Sequence, residues 1–249
     1  MAEFQIEIAG HTAAVFSLFD STRDYCRDYL TDKAPECSIR ITREDLIFEQ
    51  ADLDREAAQE GFRHRVFTDP FLDRAAVQRK MADFLLGKAV LMLHGSAIAL
   101  DGRGYLFLAK SGTGKSTHTR LWREVFGERA RMVNDDKPFI SLKQDVPMLC
   151  GAPWSGKHGL HSNICVPLAG ICILERGTEN QIFPVTAEEA MPMLLHQSYC
   201  PDGESGQHRV LLHRLAAAVP LWRMACNRAA EAASTAAAAM TGDKNGKNL

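Results

Sequence analysis

The chain has 249 residues, 46% hydrophobic and 24% charged, with a formal net charge of −2 that leaves its nine histidines uncounted. That is enough apolar residue for a sizeable core, while the near-neutral balance and the lack of a long Lys/Arg run exclude a nucleic-acid footprint, and no apolar stretch approaches the roughly 20 residues of a membrane span. The opening "MAEFQIEIAGH" lacks the charged-then-apolar layout of a secretory leader, and seven cysteines with no CxxC pair read as reduced, mostly buried thiols of a cytoplasmic protein.

Residues 1–68 alternate short strand-like runs with polar connections. "FQIEIAG" alternates apolar and polar residues, "AAVFSLF" is a short apolar run, and "CSIRITREDLIF" has period-two character at Ile39 and Ile41, which predicts a small sheet-rich lobe. In "TDPFLDRAAVQRKMADFLLGK" Asp69 can cap a helix and Pro70 suits its first position. Val77, Met81, Phe84 and Leu85 then recur at helical spacing, and Gly87 stops the helix. "AVLMLHGSAIAL" is a continuous apolar run and reads as one strand buried on both faces. "DGRG" turns the chain into a second buried strand, "GYLFLA". "KSTHTRLWREVFG" reads as a helix with Leu121, Val125 and Trp122 inward and Gly127 as its stop. "RMVNDDKPFISL", "ICVPLAGICILERG" and "VPLWRMACN" add strands, and Asn227 can cap the Ala-rich helix that follows. Cys165 and Cys172 lie on apolar strand-like segments and suit packing better than metal. The tail "TGDKNGKNL" is polar and expected to be disordered. This mixture predicts an α/β layer fold with some antiparallel pairing.

Between the second buried strand and the next helix stands "AKSGTGKS", which differs from G-x-x-x-x-G-K-[ST] only at Ala109. Gly112 and Gly114 allow backbone conformations that turn successive N–H groups inward. Lys115 can reach the β- and γ-phosphates of a nucleotide, the Ser116 hydroxyl can ligate Mg²⁺, and the helix N-terminus adds partial positive charge beneath them. Alanine can replace glycine at position 109 if its φ is negative.

Three further elements bear on chemistry. In "VNDDKP" two adjacent carboxylates, Asp135 and Asp136, follow Lys115 at a spacing that fits one helix and a return strand. One can hold Mg²⁺ while the other accepts a proton from an incoming hydroxyl; a solvated turn, or a salt bridge to Lys137, is the plainer reading. His94, in "LMLHGSA", is either a satisfied core histidine or, through the hairpin that follows it, a neighbour of the phosphates. "GAPWSGKHGLHSN" is rich in glycine and small polar residues and is not expected in the core. Lys157 could supply a mobile cation there, or the loop could bind the acceptor or be plain surface. His158 and His161 lack a third ligand at zinc spacing.

With these elements placed, the sequence resembles the HPr kinase family, and more closely the short HPr kinase-related proteins of bacteria than the HPr kinase/phosphorylase itself. "HGSAIAL", a short turn, a second strand, "SGTGKST" and the double aspartate match that family's catalytic domain in order and spacing, over about residues 90–176. ATP-dependent phosphoenolpyruvate carboxykinase shares the fold, and its loop also reads S-G-T-G-K. The resemblance implies a compact α/β P-loop core whose sheet is largely not the usual parallel one. With it go a small mixed α+β lobe at 1–88, a kinase-like catalytic domain at 89–240 and a flexible tail at 241–249. It implies ATP and Mg²⁺ as cofactors. Ser111, Gly112, Thr113, Gly114, Lys115, Ser116 and Thr117 would form the phosphate loop, Ser116 and Asp136 would hold the metal, Asp135 would act as base, and His94 would sit beside the catalytic aspartate. Thr117 stands where the HPr kinase/phosphorylase has glutamate, and "PWSGKHGL" replaces its later signature segment, so that enzyme's protein substrate is not carried over. The expectation is an ATP- and Mg²⁺-dependent phosphotransferase acting on a hydroxyl of a peptide, small protein or small molecule, without nucleic-acid or membrane partners. A non-catalytic nucleotide sensor, or a carboxykinase-like lyase, is the alternative.

Overall fold

A computed structural model describes residues 2–61, 63–201, 203 and 205–242. The chain divides into two units, Met1–Leu85 and Leu86–Leu249. Positions 243–249 of the expected tail lie outside the described residues, whereas Thr241 ends the last helix and Gly242 follows it at positive φ.

In the first unit β1 (Ala2–Ile8) and β2 (His11–Ser17) pair antiparallel across Ala9 and Gly10, both at positive φ, and β3 (Cys37–Arg40) lies parallel to β2. Phe4, Ile6 and Ile8 are buried in alternation, as the period-two pattern requires. Helices α1 (Asp20–Tyr25), α2 (Arg43–Glu60) and α3 (Asp69–Leu86) complete the elements of this stretch. The strand expected over "CSIRITREDLIF" stops at Arg40, because Thr42 and Asp45 form a capping box and start an 18-residue helix. Along α3, Val77, Met81 and Leu85 are fully buried and Phe84 half-buried. The Thr68 carbonyl, just before α3, accepts from Phe71 and Leu72, and the left-handed residue after the helix is Ala89, not Gly87. Buried Asp73 ties α3 to the chain leaving β2, accepting from the Ser17 and Thr22 hydroxyls and the Leu18 N–H.

The second unit is an α/β structure around a mixed nine-stranded sheet. Its elements in order are β4 (Val90–Met92), β5 (Ser96–Leu100), β6 (Arg103–Leu108), α4 (Lys115–Phe126), β7 (Ala130–Asn134), β8 (Phe139–Ser141), β9 (Met148–Cys150), β10 (Cys165–Arg176), β11 (Gln181–Pro184), α5 (Ala187–Gln197), α6 (Gly206–Ala218), β12 (Leu221–Cys226) and α7 (Glu231–Thr241). The strands run β4-β8-β9-β10-β6-β5-β7, with β12 beside β10 and β11 beside β12. The long β10 joins the two halves: its first residues pair antiparallel with β9, and later ones pair parallel with β6 and β12.

The run "AVLMLHGSAIAL" is therefore two strands and not one, since β4 pairs with β8 while β5 pairs with β6 and β7. The break falls at Leu93–Gly95. A Cβ on Gly95 would sit 2.7 Å from Leu106 Cδ1 and 3.1 Å from the Phe107 carbonyl, so the chain crosses close over β6 there. Both faces of the sheet are covered. Leu106, Leu108, Ile171 and Ile173 pack with Leu194, Leu211 and Leu215 from α5 and α6, while Tyr105, Phe107, Cys172 and Leu174 pack with residues of α4 and α7. That two-sided burial is why these strands read as unbroken apolar runs. On α4, Leu121 and Trp122 point inward with Phe126, and the Trp122 ring lies against Tyr105 and Phe107; Val125, expected inward, is 37% exposed. Asn227 does not cap α7. Its Oδ1 accepts from the Ala229 N–H, its Nδ2 donates to the Thr178 carbonyl, and Ala230 flanks the helix. Among the described residues no helix is long and apolar enough to cross a membrane.

Cys150 and Cys165 are joined in a disulfide, against the expectation of reduced cysteines throughout. They stand directly opposite each other on β9 and β10, which brings their Cα atoms to 4.1 Å. Thiol titration of the unfolded, unreduced protein should give the five free cysteines and not seven. Cys165→Ala should lower the unfolding free energy by about 3 kcal/mol, the loop-closure value for a separation of this size. The loss should vanish when both proteins are compared in reductant.

Candidate functional site

The segment from Ala109 to Gly114 leaves the centre of the sheet at the end of β6 and opens α4. Gly112 and Gly114 have φ of 71° and 124°, which side chains with a Cβ resist. Ala109 is buried and not at positive φ, so its methyl is tolerated. Its carbonyl accepts from Lys115 Nζ at 3.1 Å, which folds the lysine back over the loop. On the outer side Arg176, the last residue of β10, donates to the Gly112 carbonyl at 2.8 Å. The first turn of α4 carries no acidic residue and no side-chain cap, so its N–H groups and the positive end of its dipole are not offset by an acidic neighbour within that turn. Ser111, Gly112 and Ser116 are exposed, and Thr113, Gly114 and Thr117 half-buried. An oriented loop of this kind can hold an oxyanion.

The two aspartates follow β7, which ends at the same edge of the sheet as β6 and its glycine loop. Asn134, fully buried, organises them: its Nδ2 donates to the Ala152 and Trp154 carbonyls, and its Oδ1 accepts from the Asp136 and Lys137 N–H groups. Asp135 is 5% exposed, and its Oδ1 accepts from Ser96 Oγ at 2.7 Å. Ser96, its proton committed to Asp135, accepts in turn from Thr119 Oγ1 at 2.8 Å. A buried pair of hydroxyls thus runs from Asp135 to Thr119 on α4. Asp136 points elsewhere: its Oδ1 is 3.3 Å from His94 Nε2, and each side chain keeps about a third of its surface open, at 34% and 35%. The backbone fixes this pair, through Gly95 N–H to the Asp136 carbonyl and His94 N–H to the Gln197 carbonyl.

Burial holds the His94 imidazolium down to about 3, with the positive charges of Lys137, Lys115 and His196 acting in the same direction, so His94 is neutral near pH 7. Burial also raises the Asp136 carboxyl. Lys137 and Lys115 oppose that rise, and the neighbouring charge of Asp135 adds to it.

The segment 151–163 departs from the expected surface loop. Gly151, Ala152, Pro153 and Trp154 are buried, and the Trp154 ring packs near Phe139. The Ala152 and Trp154 carbonyls are the acceptors that Asn134 requires. Gly156 returns to the aspartates: a Cβ there would lie in van der Waals contact with both, 3.6 Å from Asp136 Cβ and 3.8 Å from Asp135 Oδ2. Lys157 and His158 are exposed next to it, while His161 is half-buried and bridges to Asn134 through the backbone. Among the described residues no three His, Cys, Asp or Glu side chains gather as a metal-ligand set. A hard cation that takes one or two carboxylates and completes its shell with phosphate oxygens and water fits the donors present: the two aspartates and the exposed Ser116 hydroxyl.

The structure brings His94, Asp135 and Asp136 together and connects them to the helix that Lys115 begins, with Ser111–Thr117 on the loop and Lys157 on the neighbouring segment. Sequence reasoning missed Ser96, Thr119, Asn134, Gly156 and Arg176. Asn134 had a readable signal, because Asn before two turn residues is an Asx-turn pattern. Ser96, the one hydroxyl in an apolar run, was a weaker one, and Arg176 had none.

Comparison of the sequence with protein-family profiles finds no match, and comparison with curated proteins finds none. Among solved structures the chain is similar to the Hpr(Ser) kinase/phosphatase from Coxiella burnetii, at 9% identity and a TM-score of 0.37, covering 62% of this chain and 99% of that one.

Asn134→Ala would leave two buried carbonyls and two N–H groups short of partners. It should destabilise the protein by about 3 kcal/mol or more in urea denaturation. The depressed His94 gives a signed pH effect: the unfolded chain takes up a proton below about 6.5 that the folded imidazole refuses, so stability falls as pH drops from 6.5 toward 3. His94→Gln should flatten the dependence of the unfolding midpoint on pH across 6.5 to 5, leaving the contribution of His118, which burial lowers to about 4.

Proposed function

We propose that the second unit is an ATP-dependent kinase of the HPr kinase-like P-loop type, transferring the γ-phosphoryl group to a hydroxyl of a peptide, a small protein or a small molecule. One observation carries the reading: the hydrogen bonds from Thr119 of α4 to Ser96 and from Ser96 to Asp135 tie the carboxylate pair to the helix that opens with Lys115, at a glycine loop with the stereochemistry of an anion cradle. Phosphoryl transfer asks for that combination, because catalysis there is mostly positioning and charge neutralisation.

In this reading the loop N–H groups and Lys115 bind the nucleotide phosphates. Asp136 takes the proton from the acceptor hydroxyl as its oxygen bonds to the γ-phosphorus and the bond to the β–γ bridging oxygen breaks, releasing ADP. Two features support Asp136 over Asp135, the base implied by the resemblance. Burial raises its carboxyl, which favours uptake of a proton, and neutral His94 stands 3.3 Å away to orient it. Asp135, buried and fixed by Ser96, together with the Ser116 hydroxyl would hold Mg²⁺, which when bound supplies charge neutralisation to the phosphates. Gly156 stands against both aspartates, and Lys157 beside it can approach the transferring group.

The test is transfer from γ-labelled ATP to a panel of serine peptides, small proteins and small alcohols, with nucleotide binding measured in parallel. Asp136→Asn should lose transfer by about 10²- to 10⁴-fold while retaining ATP binding. Lys115→Ala should lose both, and Asp135→Asn should lose the Mg²⁺ dependence of binding. Tight binding with no labelled acceptor, unchanged in Asp136→Asn, would establish a sensor instead. Carbon dioxide release from oxaloacetate with ATP would establish a lyase.

A further inference from the structure

The disulfide between Cys150 and Cys165 stands at the foot of the segment that frames the aspartates. Residues 151–164 leave the sheet at Cys150 and return to it at Cys165, so the bond closes them into a loop. The loop supplies much of what holds the aspartate turn. The Ala152 and Trp154 carbonyls accept from Asn134, and the Leu160 carbonyl accepts from the Asp135 N–H. Ser162 N–H donates to the Val133 carbonyl on β7, just before the turn.

The ends of the loop are weakly tied apart from the bond. The first residues of β10 pair with β9 through three residue pairs, while the pairing with β6 begins only at Leu168. Pro167, in one of those three pairs, has no N–H to donate. The fit at the foot is nonetheless close. A Cβ on Gly151 would collide with the Ser162 carbonyl oxygen and lie 2.8 Å from that of Val133, so both ends of the loop must stay in register with β7. The two sulfurs differ in access: Cys150 is 2% exposed, whereas Cys165 is on the surface.

We propose that this disulfide is a redox switch on the aspartate site: oxidised, it holds the 151–164 loop against β7, and reduced by a dithiol it lets the loop and the Asn134-centred turn loosen. A thiolate of the dithiol attacks Cys165 Sγ. The S–S bond breaks, and its electron pair leaves on Cys150 Sγ, which takes up a proton. The second thiolate of the dithiol then attacks the mixed disulfide and releases Cys165, which is protonated in turn. The dithiol is thereby oxidised to its own disulfide, and the protein gains two electrons and two protons. The effect on catalysis rests on the kinase reading above, whereas the effect on the backbone does not.

The experiment is hydrogen exchange of the full chain with and without dithiothreitol, alongside transfer from γ-labelled ATP to an acceptor. In reductant the amides of Asp135, Asp136, Lys137 and Ser162 should exchange about tenfold faster or more, while those of β5 and β6 keep their protection. Transfer should fall by about tenfold and return on reoxidation, with ATP binding retained because the glycine loop is built on β6 and α4. Cys165→Ser should show the fast exchange and the low transfer in both conditions. Cys37→Ser, which alters a free thiol of the first unit, should respond to reductant as the wild type does. If Cys165→Ser fails to fold, as its unfolding midpoint would show, the reversible wild-type response decides alone. Exchange that ignores reductant, or that quickens equally in Cys165→Ser, overturns the switch. So does faster exchange with unchanged transfer, which would make the bond a staple only. If the exchange responds but no acceptor is labelled in either state, the kinase reading fails while the redox-controlled loop stands.

Discussion

The Ser96 hydroxyl is the contact on which the site depends. It is fully buried, donates to Asp135 Oδ1 and meets Thr119 Oγ1, and so joins the strand before the glycine loop, the strand after it and the helix the loop opens. A buried carboxylate needs charge-stabilising hydrogen bonds or it is expelled or protonated. Ser96 and the Asn134-centred turn hold the two aspartates in a fixed frame in which one is shielded and the other faces His94. The hydroxyl pair ends at Thr119 on α4, the helix that Lys115 begins, so the carboxylate is tied to the element that carries the lysine.

The sheet makes this arrangement possible. Because β5 folds back antiparallel on β6, its first residue, Ser96, lies opposite Phe107, near the strand end from which the glycine loop springs. Because β7 then pairs antiparallel on the far side of β5, its last residues also arrive at that edge. Three chain segments thus converge from strands in mixed directions. On the other flank β10 and β12 run parallel to β6 or its neighbour, and their ends, with Arg176 and Asn227, form a wall of a cavity beside α4. One sheet therefore presents a polar site on one side of the loop and an apolar-walled cavity on the other.

Much of this was legible locally. The glycine loop was readable because two positive-φ positions and a lysine at fixed spacing are a backbone requirement, written in residue type. The hairpin at Asp101 and Gly102 was readable for the same reason. The buried strands around it were readable as apolar runs, since both faces meet helices. Other elements were hidden. The run through His94 read as one strand because burial does not reveal which neighbour a strand pairs with; the break at Gly95 comes from the close crossing over Leu106 and Phe107. The inward face of α4 was misjudged at Val125 because Trp122, with its large ring against Tyr105 and Phe107, takes the core-facing position. The disulfide depends on the register of β9 and β10, and β9 had no signal of its own.

By itself, then, the sequence determined the chemistry available: a glycine loop that can accept anions, a lysine, two adjacent carboxylates and a histidine, set among strands and helices of an α/β unit. Their types and spacings are local facts, enforced by backbone sterics and by the cost of leaving charge in an apolar run. Only the tertiary structure decided which aspartate meets His94, that a serine and a threonine tie the other to the helix, that Trp154 and Ala152 belong to the core, and that a disulfide closes the segment they stand on. Each of these depends on long-range pairing and packing, where residues distant along the chain supply a hydrogen-bond partner or withdraw water, and neither residue type nor spacing records that.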